Sequence, residues 1–369
     1  MTVRVAFVLP SFAGGGAERV MLTFLRALDR ARFEPALIVL DAAGPLTALV
    51  PDDIRVRRLG RPRLRQALLA LVMTLRRLDP AVIVSTLGYV NLALLAARPL
   101  LPRRARLVVR EANLPMQSLS TVPHAGPMRA AYRLLYPRAD AIICPAETVA
   151  HSLADDFGVD PRRLRLLYNP VDEAALRAAA TDVRRAPGPG PRFVAAGRVT
   201  LQKGFDRLLD MMAEAPADAH LTLLGDGPDR PALEAQVARL GLGARVAFAG
   251  FDRAPWARYA GADAFLLPSR WEGMPNAALE ALAVGTRVIG CPEAGGIGEI
   301  AALATPGAVT LAPTGSAFVA AMRAVTVMPP NGLRPSLLPA PFQMASAVHA
   351  FEAVLDATAP RDAPARRAA

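Results

Sequence analysis

The stretch Ser269-Arg-Trp-Glu272-Gly-Met-Pro275-Asn-Ala-Ala-Leu-Glu280-Ala-Leu-Ala-Val-Gly285 follows a short apolar run, Ala264 to Pro268, and reads as strand, polar loop and helix start. Proline suits the first turn of a helix, where its missing N–H costs nothing. With Pro275 there, the amides around Met274 to Ala277 point at whatever lies beyond the strand end, which makes a site for an anion or a hydroxyl. Glu272 falls in the loop and Glu280 about a turn and a half into the helix. Two acceptors so placed lie along one elongated ligand, as a sugar and a ribose would require. Two glutamates eight apart also occur on solvated helices, so the ordered string carries more than the spacing.

Working outward, apolar runs near 192–197, 220–225, 245–249, 264–268, 286–290 and 308–312 alternate with helical patterns, and an earlier set at 3–10, 35–41, 81–87, 106–111, 140–145 and 164–168 does the same. Such alternation predicts parallel, doubly wound sheets. Ala186-Pro-Gly-Pro-Gly-Pro191 interrupts it, which predicts a first domain over 1–183, a linker over 184–191 and a second domain over 192–341. Residues 342–357 have apolar positions at helical spacing, and 358–369 read as a disordered tail. At 369 residues, two domains fit.

The longest nearly apolar run, Gln66 to Leu75, is far short of the roughly 18 residues that span a bilayer. The chain starts at once on strand residues without a basic n-region or cleavage site, so a cytoplasmic location is expected. Cys144 and Cys291 show no ligand spacing and read as buried thiols. No Asp-x-Asp pair occurs and the four histidines are scattered, so no metal is expected. Net charge is +11, but residues 1–180 carry 25 Arg against 15 acidic residues while the remainder is +1. That asymmetry predicts one face meeting an anionic partner, lipid or nucleic acid. Aromatic content of 5% leaves few stacking platforms and argues against nucleic acid.

Lys203 is the only lysine among 43 basic residues. It stands in Gly197-Arg198-Val-Thr-Leu-Gln-Lys203-Gly204, at the carboxyl end of the first strand of the second domain, where open sheets bind ligands. Fixed cations there stabilise a leaving group that gains negative charge. The bland reading of Arg198 and Lys203 is a pair of surface cations on a loop.

Together these strings resemble the E-x7-E and G-R-x4-K-G regions of the family-4 retaining glycosyltransferases, also called glycosyl transferases group 1. The resemblance covers most of residues 1–315 in pattern, with Gly14-Gly15-Gly16-Ala17-Glu18-Arg19-Val20 and Gly295-Gly296-Ile-Gly298-Glu299-Ile300 among its motifs. It implies an α/β GT-B fold, two Rossmann-like doubly wound domains facing an interdomain cleft, with the C-terminal helix 342–357 packed back on the first. It implies a nucleotide-sugar donor, UDP above others, and transfer of a hexose or N-acetylhexosamine to a lipid-linked glycan or polysaccharide acceptor in bacterial cell-surface glycan synthesis, with no cofactor. Arg198 and Lys203 then clamp the diphosphate, Glu272 contacts the transferred sugar and Glu280 the ribose. Gly273, Met274, Pro275, Asn276 and Ala277 bind the donor from that domain, and Gly15 and Gly16 approach the diphosphate from the other. Where many members have a histidine, this chain reads Arg110-Glu111-Ala-Asn113-Leu-Pro115, so that role does not carry over. Arg110, Glu111 and Asn113 are candidate contacts to sugar or acceptor, and His124 is expected to be a loop residue.

Two other readings compete. Asp41 falls at a strand end about where an NAD ribose would want a carboxylate, which suits an NAD-dependent oxidoreductase, although the third glycine of that fingerprint would fall at Arg19. A non-catalytic nucleotide-sugar-binding protein on the same fold is the second. The acceptor side rests on two cationic segments. Residues 61–77 place Leu68, Leu71, Val72 and Leu75 at helical spacing between arginines, which suits either an anionic membrane surface or packing of the helix on its own sheet. Arg98-Pro-Leu-Leu-Pro-Arg-Arg-Ala-Arg106 concentrates charge in a loop. Together they predict a peripheral position on the inner face of the plasma membrane.

Overall fold

The structure, a computed structural model, describes residues 2–13, 15–120, 125–328 and 332–360. Gly14, His124 and the tail from 361 onward lie outside the described residues. The chain divides into two compact units, Met1–Pro170 with Ala345–Ala369, and Val171–Met344.

In the first unit, strands β1 (Val3–Ser11), β2 (Phe33–Asp41), β3 (Arg55–Arg58), β4 (Val82–Thr86), β5 (Arg106–Arg110), β6 (Ala141–Cys144) and β7 (Leu164–Leu166) form a parallel sheet in the order β3-β2-β1-β4-β5-β6-β7. The inner strands are near-continuous apolar runs because helices cover both faces. Those helices are α1 (Gly16–Ala27), α2 (Leu64–Leu78), α3 (Gly88–Ala96), α4 (Pro115–Ser120), α5 (Ala125–Leu135) and α6 (Glu147–Phe157). Strand β3 escaped the sequence reading because Arg-Val-Arg-Arg offers one apolar side chain, and only as an edge strand is that enough.

The second unit opens with α7 (Glu173–Ala179) and continues as β8 (Arg192–Ala196), α8 (Phe205–Glu214), β9 (His220–Leu224), α9 (Arg230–Arg239), β10 (Val246–Gly250), α10 (Trp256–Ala260), β11 (Ala264–Leu267), α11 (Asn276–Ala283), β12 (Val288–Gly290), α12 (Ile297–Leu303), β13 (Val309–Leu311) and α13 (Ser316–Arg323). Its parallel sheet runs β10-β9-β8-β11-β12-β13. Strand order reverses between β8 and β11 here, and between β1 and β4 in the first unit. Crevices at such points lie beyond the strands' carboxyl ends.

The last helix, α14 (Met344–Thr358), packs on the first unit, with Phe351 against Phe7 and Phe24 at ring separations of 6.0 and 4.5 Å. Glu352 accepts from the Asp29 amide at 2.9 Å and from Arg32 at 2.6 Å. Phe342, expected to begin this helix, stays with the second unit, where its carbonyl takes the Val171 amide at 2.9 Å. Thr358, expected in the tail, ends the helix.

The expected boundary at 184–191 moves. The division falls at Pro170, because α7 packs on α10 and α11. The proline–glycine segment is a loop tied into the second unit. Arg185 pairs with the carboxylate of Asp263 at 3.0 Å with both side chains nearly inaccessible, and Asp263 also accepts the amides of Arg192 and Met328, each at 2.7 Å.

Helix α2 settles one alternative. Leu71, Val72 and Leu75 are buried against the sheet and Leu68 is half-buried, so these leucines serve packing rather than a membrane. In the loop before β5, Arg98 and Arg106 both bind Asp140, at 2.8 and 3.1 Å, which leaves Arg103 and Arg104 as the exposed cations between them.

Removing one partner of a buried ion pair leaves the other charge uncompensated, at a cost of about 3–5 kcal/mol. Asp263→Ala is therefore expected to lower the unfolding free energy of the second unit by that amount, as read from urea titrations. A loss below about 1 kcal/mol, the scale of an exposed pair, would contradict this account.

Candidate active site

Strand β8 delivers Gly197 with φ +155° to a loop that hydrogen-bonds β9 through its amide. The loop carries Arg198, turns through Leu201–Lys203 and reaches Gly204 at φ +66°. A Cβ on Gly204 would stand 2.1 Å from the Pro268 carbonyl oxygen, so the backbone at the end of β11 approaches as closely as glycine allows. Side chains lace the two loops. Arg207 donates to the carbonyls of Pro268 and Ser269 at 2.6 and 2.7 Å. Arg270 binds Asp206 with both terminal nitrogens, at 2.7 and 2.6 Å, and Gln202 donates to the Trp271 carbonyl at 3.0 Å. Arg270 holds the Asp206 carboxyl below its ordinary range by hydrogen bonding.

This lacing brings Lys203 and Glu272 together. The Lys203 stem lies along Gly197, and its Nζ donates to Glu272 Oε1 at 2.6 Å. Ser269 Oγ donates to the same oxygen at 2.7 Å. Glu272 is 6% exposed. A third loop, after β12, braces the glutamate: a Cβ on Gly295 (φ +59°) would fall 2.0 Å from the Glu272 carbonyl, and the Gly296 amide donates to Gly273 at 3.0 Å. Met274 lies buried against Gly296. Helix α11 starts at Asn276, one residue later than the sequence suggests, with Pro275 as its N-cap and Ala277 in its first turn. Glu280, half-buried on α11, accepts from Trp256 Nε1 at 3.2 Å. Arg198 is exposed, and its guanidinium has no partner among the described residues.

Ser269, Asp206, Arg207, Arg270, Gln202 and Trp256 were missed as supporting residues. Asp206 and Arg207 adjoin the lysine motif, but nothing in the sequence shows which strand-end loop they reach.

In the first unit, Gly15 caps α1 and a Cβ there would meet the Glu18 carboxylate at 2.2 Å, with Gly16 as the first helical residue. The structure corrects the expectation for Arg110 and Glu111, which are buried at 1% and 4% exposure and engaged internally. Arg110 donates to Asn169 at 2.6 Å, and burial lowers its pKa to about 10. Glu111 accepts from the hydroxyls of Tyr132, at 3.1 Å, and Tyr136. Asn91 extends this network to Ser85 at 2.8 Å and to the Arg110 carbonyl at 3.0 Å. Asn113 turns its carbonyl onto the next amide, Leu114, at 2.9 Å. Cys144 and Cys291 are buried, and burial pushes each thiol up to about 12.

A glutamate bound to an ammonium at the reversal of strand order, beside an unpartnered arginine, can divide its charges between an anionic and a hydroxylated part of one ligand. Comparisons with known proteins agree with that chemistry. The family model described as Glycosyltransferase Family 4 matches residues 14–175, and Glycosyl transferases group 1 matches 179–331. The chain is 30% identical to a 2-deoxystreptamine glucosyltransferase of Streptomyces kanamyceticus, over 94% of this chain and 87% of that one. It is 25% identical to the N-acetylgalactosamine-N,N'-diacetylbacillosaminyl-diphospho-undecaprenol 4-alpha-N-acetylgalactosaminyltransferase of Campylobacter jejuni, over 80% and 83%. Among solved structures, Anabaena HepE in complex with UDP and glucose superposes with a TM-score of 0.74 at 18% identity, covering 96% of this chain and all of that one.

The buried glutamate of the first unit makes stability depend on pH. Burial pushes the Glu111 carboxyl above its ordinary value of 4.5, against the opposing effect of the tyrosine hydroxyls. The contribution is fully present below the unfolded value and is lost as pH rises through the folded one. Stability of the first unit is expected to fall over that window in urea titrations, and Glu111→Gln, which keeps an acceptor for both hydroxyls, should flatten that part of the slope. An unchanged slope in the variant would assign the titration elsewhere.

Proposed function

The chain belongs to the family-4 glycosyltransferases, and from that premise we propose that it moves a hexose or N-acetylhexosamine from a UDP-sugar to a lipid-linked or polysaccharide acceptor, with retention at the anomeric carbon. Its two parallel-sheet units are those of the GT-B fold. The observation that carries the reading is the Lys203–Glu272 pair, joined at 2.6 Å across two laced loops. On donor binding the ammonium turns to the diphosphate, together with Arg198, and the released carboxylate accepts from a hydroxyl of the transferred sugar. Glu280 accepts from the ribose.

In the reaction the bond from C1 to the diphosphate oxygen breaks and the acceptor oxygen bonds C1 on the same face. The acceptor proton passes to the departing diphosphate oxygen, so no second carboxylate is needed as a base. Positioning and fixed charge are what the protein contributes. We assign no step to a metal, in keeping with the lack of an Asp-x-Asp pair in the sequence. The UDP bound by Anabaena HepE supports the choice of nucleotide, and the undecaprenol-linked substrate in the name of the Campylobacter relative supports a lipid-linked acceptor. A cytoplasmic protein held on the inner face of the membrane would meet such an acceptor. The name of the Streptomyces relative favours a second reading, transfer to a small soluble aminocyclitol.

Thermal stabilisation by a panel of nucleotide sugars tests the donor, because a ligand that binds only the folded protein raises the melting temperature. UDP-sugars are expected to lead, and no response to any nucleotide sugar would sink the proposal. In turnover assays Lys203→Ala should lose about 10²-fold or more in kcat, the scale of removing one preorganised charge, while remaining folded. Near-normal turnover in that variant would remove the lysine from the mechanism. Transfer should also persist in excess EDTA. Activity abolished by EDTA and restored by Mg²⁺ or Mn²⁺ would mean that a metal holds the diphosphate.

A further inference from the structure

Eight arginines, Arg55 to Arg77, lie between Asp53 and Asp79 with no acidic residue among them. All eight are exposed, and none of their guanidinium groups has a partner among the described residues. By contrast, Arg4 is tied to Glu34 and Arg30 to Asp53.

Sheet register places two of the three β3 arginines on the side of α2. Leu37 and Val39 of β2 point into the core that contains α1 and α14, and they pair with Val56 and Arg58 of β3. Neighbours in register share a face, and alternate residues take opposite ones. Arg55 and Arg57, paired with Ala36 and Ile38, therefore face the other side. Helix α2 lies on that other side, touching β1 and β2, and none of its buried residues joins the core beneath α1. Its outer stripe reads Arg65, Leu69, Met73, Arg76 and Arg77. Leu69 is 75% exposed and Met73 45%, so two apolar side chains stand between cations.

We propose that this face, α2 with the β3 edge, docks on an anionic lipid bilayer. The inference rests on the membrane-side reading above and replaces the leucines first suggested for it. Charge complementarity favours a phospholipid surface, and the arginine stems can lie along the interface with their heads at the phosphates. Nucleic acid would call for stacking side chains, and no aromatic residue occurs between Asp53 and Asp79. Because the main apolar side of α2 is committed to the core, the helix cannot sink as a free amphipathic helix would. Attachment is chiefly electrostatic, with Leu69 and Met73 reaching the acyl boundary, and it weakens as salt screens it.

Sedimentation with vesicles of phosphatidylglycerol and phosphatidylcholine, against phosphatidylcholine alone, tests this across a salt series. Each arginine engaged is expected to multiply partitioning by about 5-fold. The combined R57S, R65S, R76S and R77S variant should therefore lose on the order of 10²-fold or more, and L69S with M73S a smaller, salt-independent part. Melting temperatures with and without UDP confirm that the variants are folded and retain the nucleotide site. Wild-type protein that ignores anionic vesicles at low salt would overturn both the proposal and the membrane-side reading. Undiminished binding by the four-arginine variant, with loss in R103S/R104S instead, would keep that reading and move the surface to the loop before β5. Tighter binding of the same face to single-stranded nucleic acid than to the vesicles would also overturn the lipid assignment.

Discussion

The site in the second unit depends on two strand ends meeting without a side chain between them. At Gly204 the loop after β8 comes so near the end of β11 that any Cβ would overlap the Pro268 carbonyl. Everything nearby follows from this approach. Arg207 and Arg270 can bridge the loops, Lys203 can reach across to Glu272, and the carboxylate is buried yet compensated. Burying an acid without a partner costs several kcal/mol. Here the ammonium and the Ser269 hydroxyl share one oxygen of the carboxylate. The same logic recurs at Gly295, which lets a third loop press on the glutamate's backbone from the other side.

Much of this was legible in the sequence. Parallel strands buried on both faces must be continuous apolar runs, so β1, β2, β8 and β11 announce themselves, and the order of motifs predicts their strand-end loops. Lys203 stood out because it is the chain's only lysine. What could not be read was partnership across the chain. Lys203 and Glu272 are 69 residues apart, as are Gln202 and Trp271, and no local pattern encodes which loops will touch. The boundary failed for a related reason. Proline and glycine mark where regular structure stops, not where a unit ends, and Arg185 finds a buried partner 78 residues away.

Arg110 and Glu111 show how residue type can mislead. Adjacent opposite charges at a strand end look like ligand contacts, and the sequence contains nothing local to satisfy them. In the fold Tyr132, Tyr136, Asn91 and Asn169 arrive from α5, the turn after it, α3 and the segment after β7, and the pair becomes the polar centre of its own unit. Arginine use divides accordingly. Where a guanidinium has several fixed acceptors it builds structure, and where a run of arginines has none it presents charge to solvent.

The solitary lysine has a consequence for chemistry outside biology. Apart from the chain terminus, Lys203 Nζ is the only primary amine in the sequence, and it is shielded by its pairing with Glu272 and by burial of most of its side chain. Among side chains, amine-directed reagents therefore report on one known position. Isotopically labelled methyl groups placed there by reductive alkylation would give a single side-chain resonance, set by the distance between one ammonium and one carboxylate.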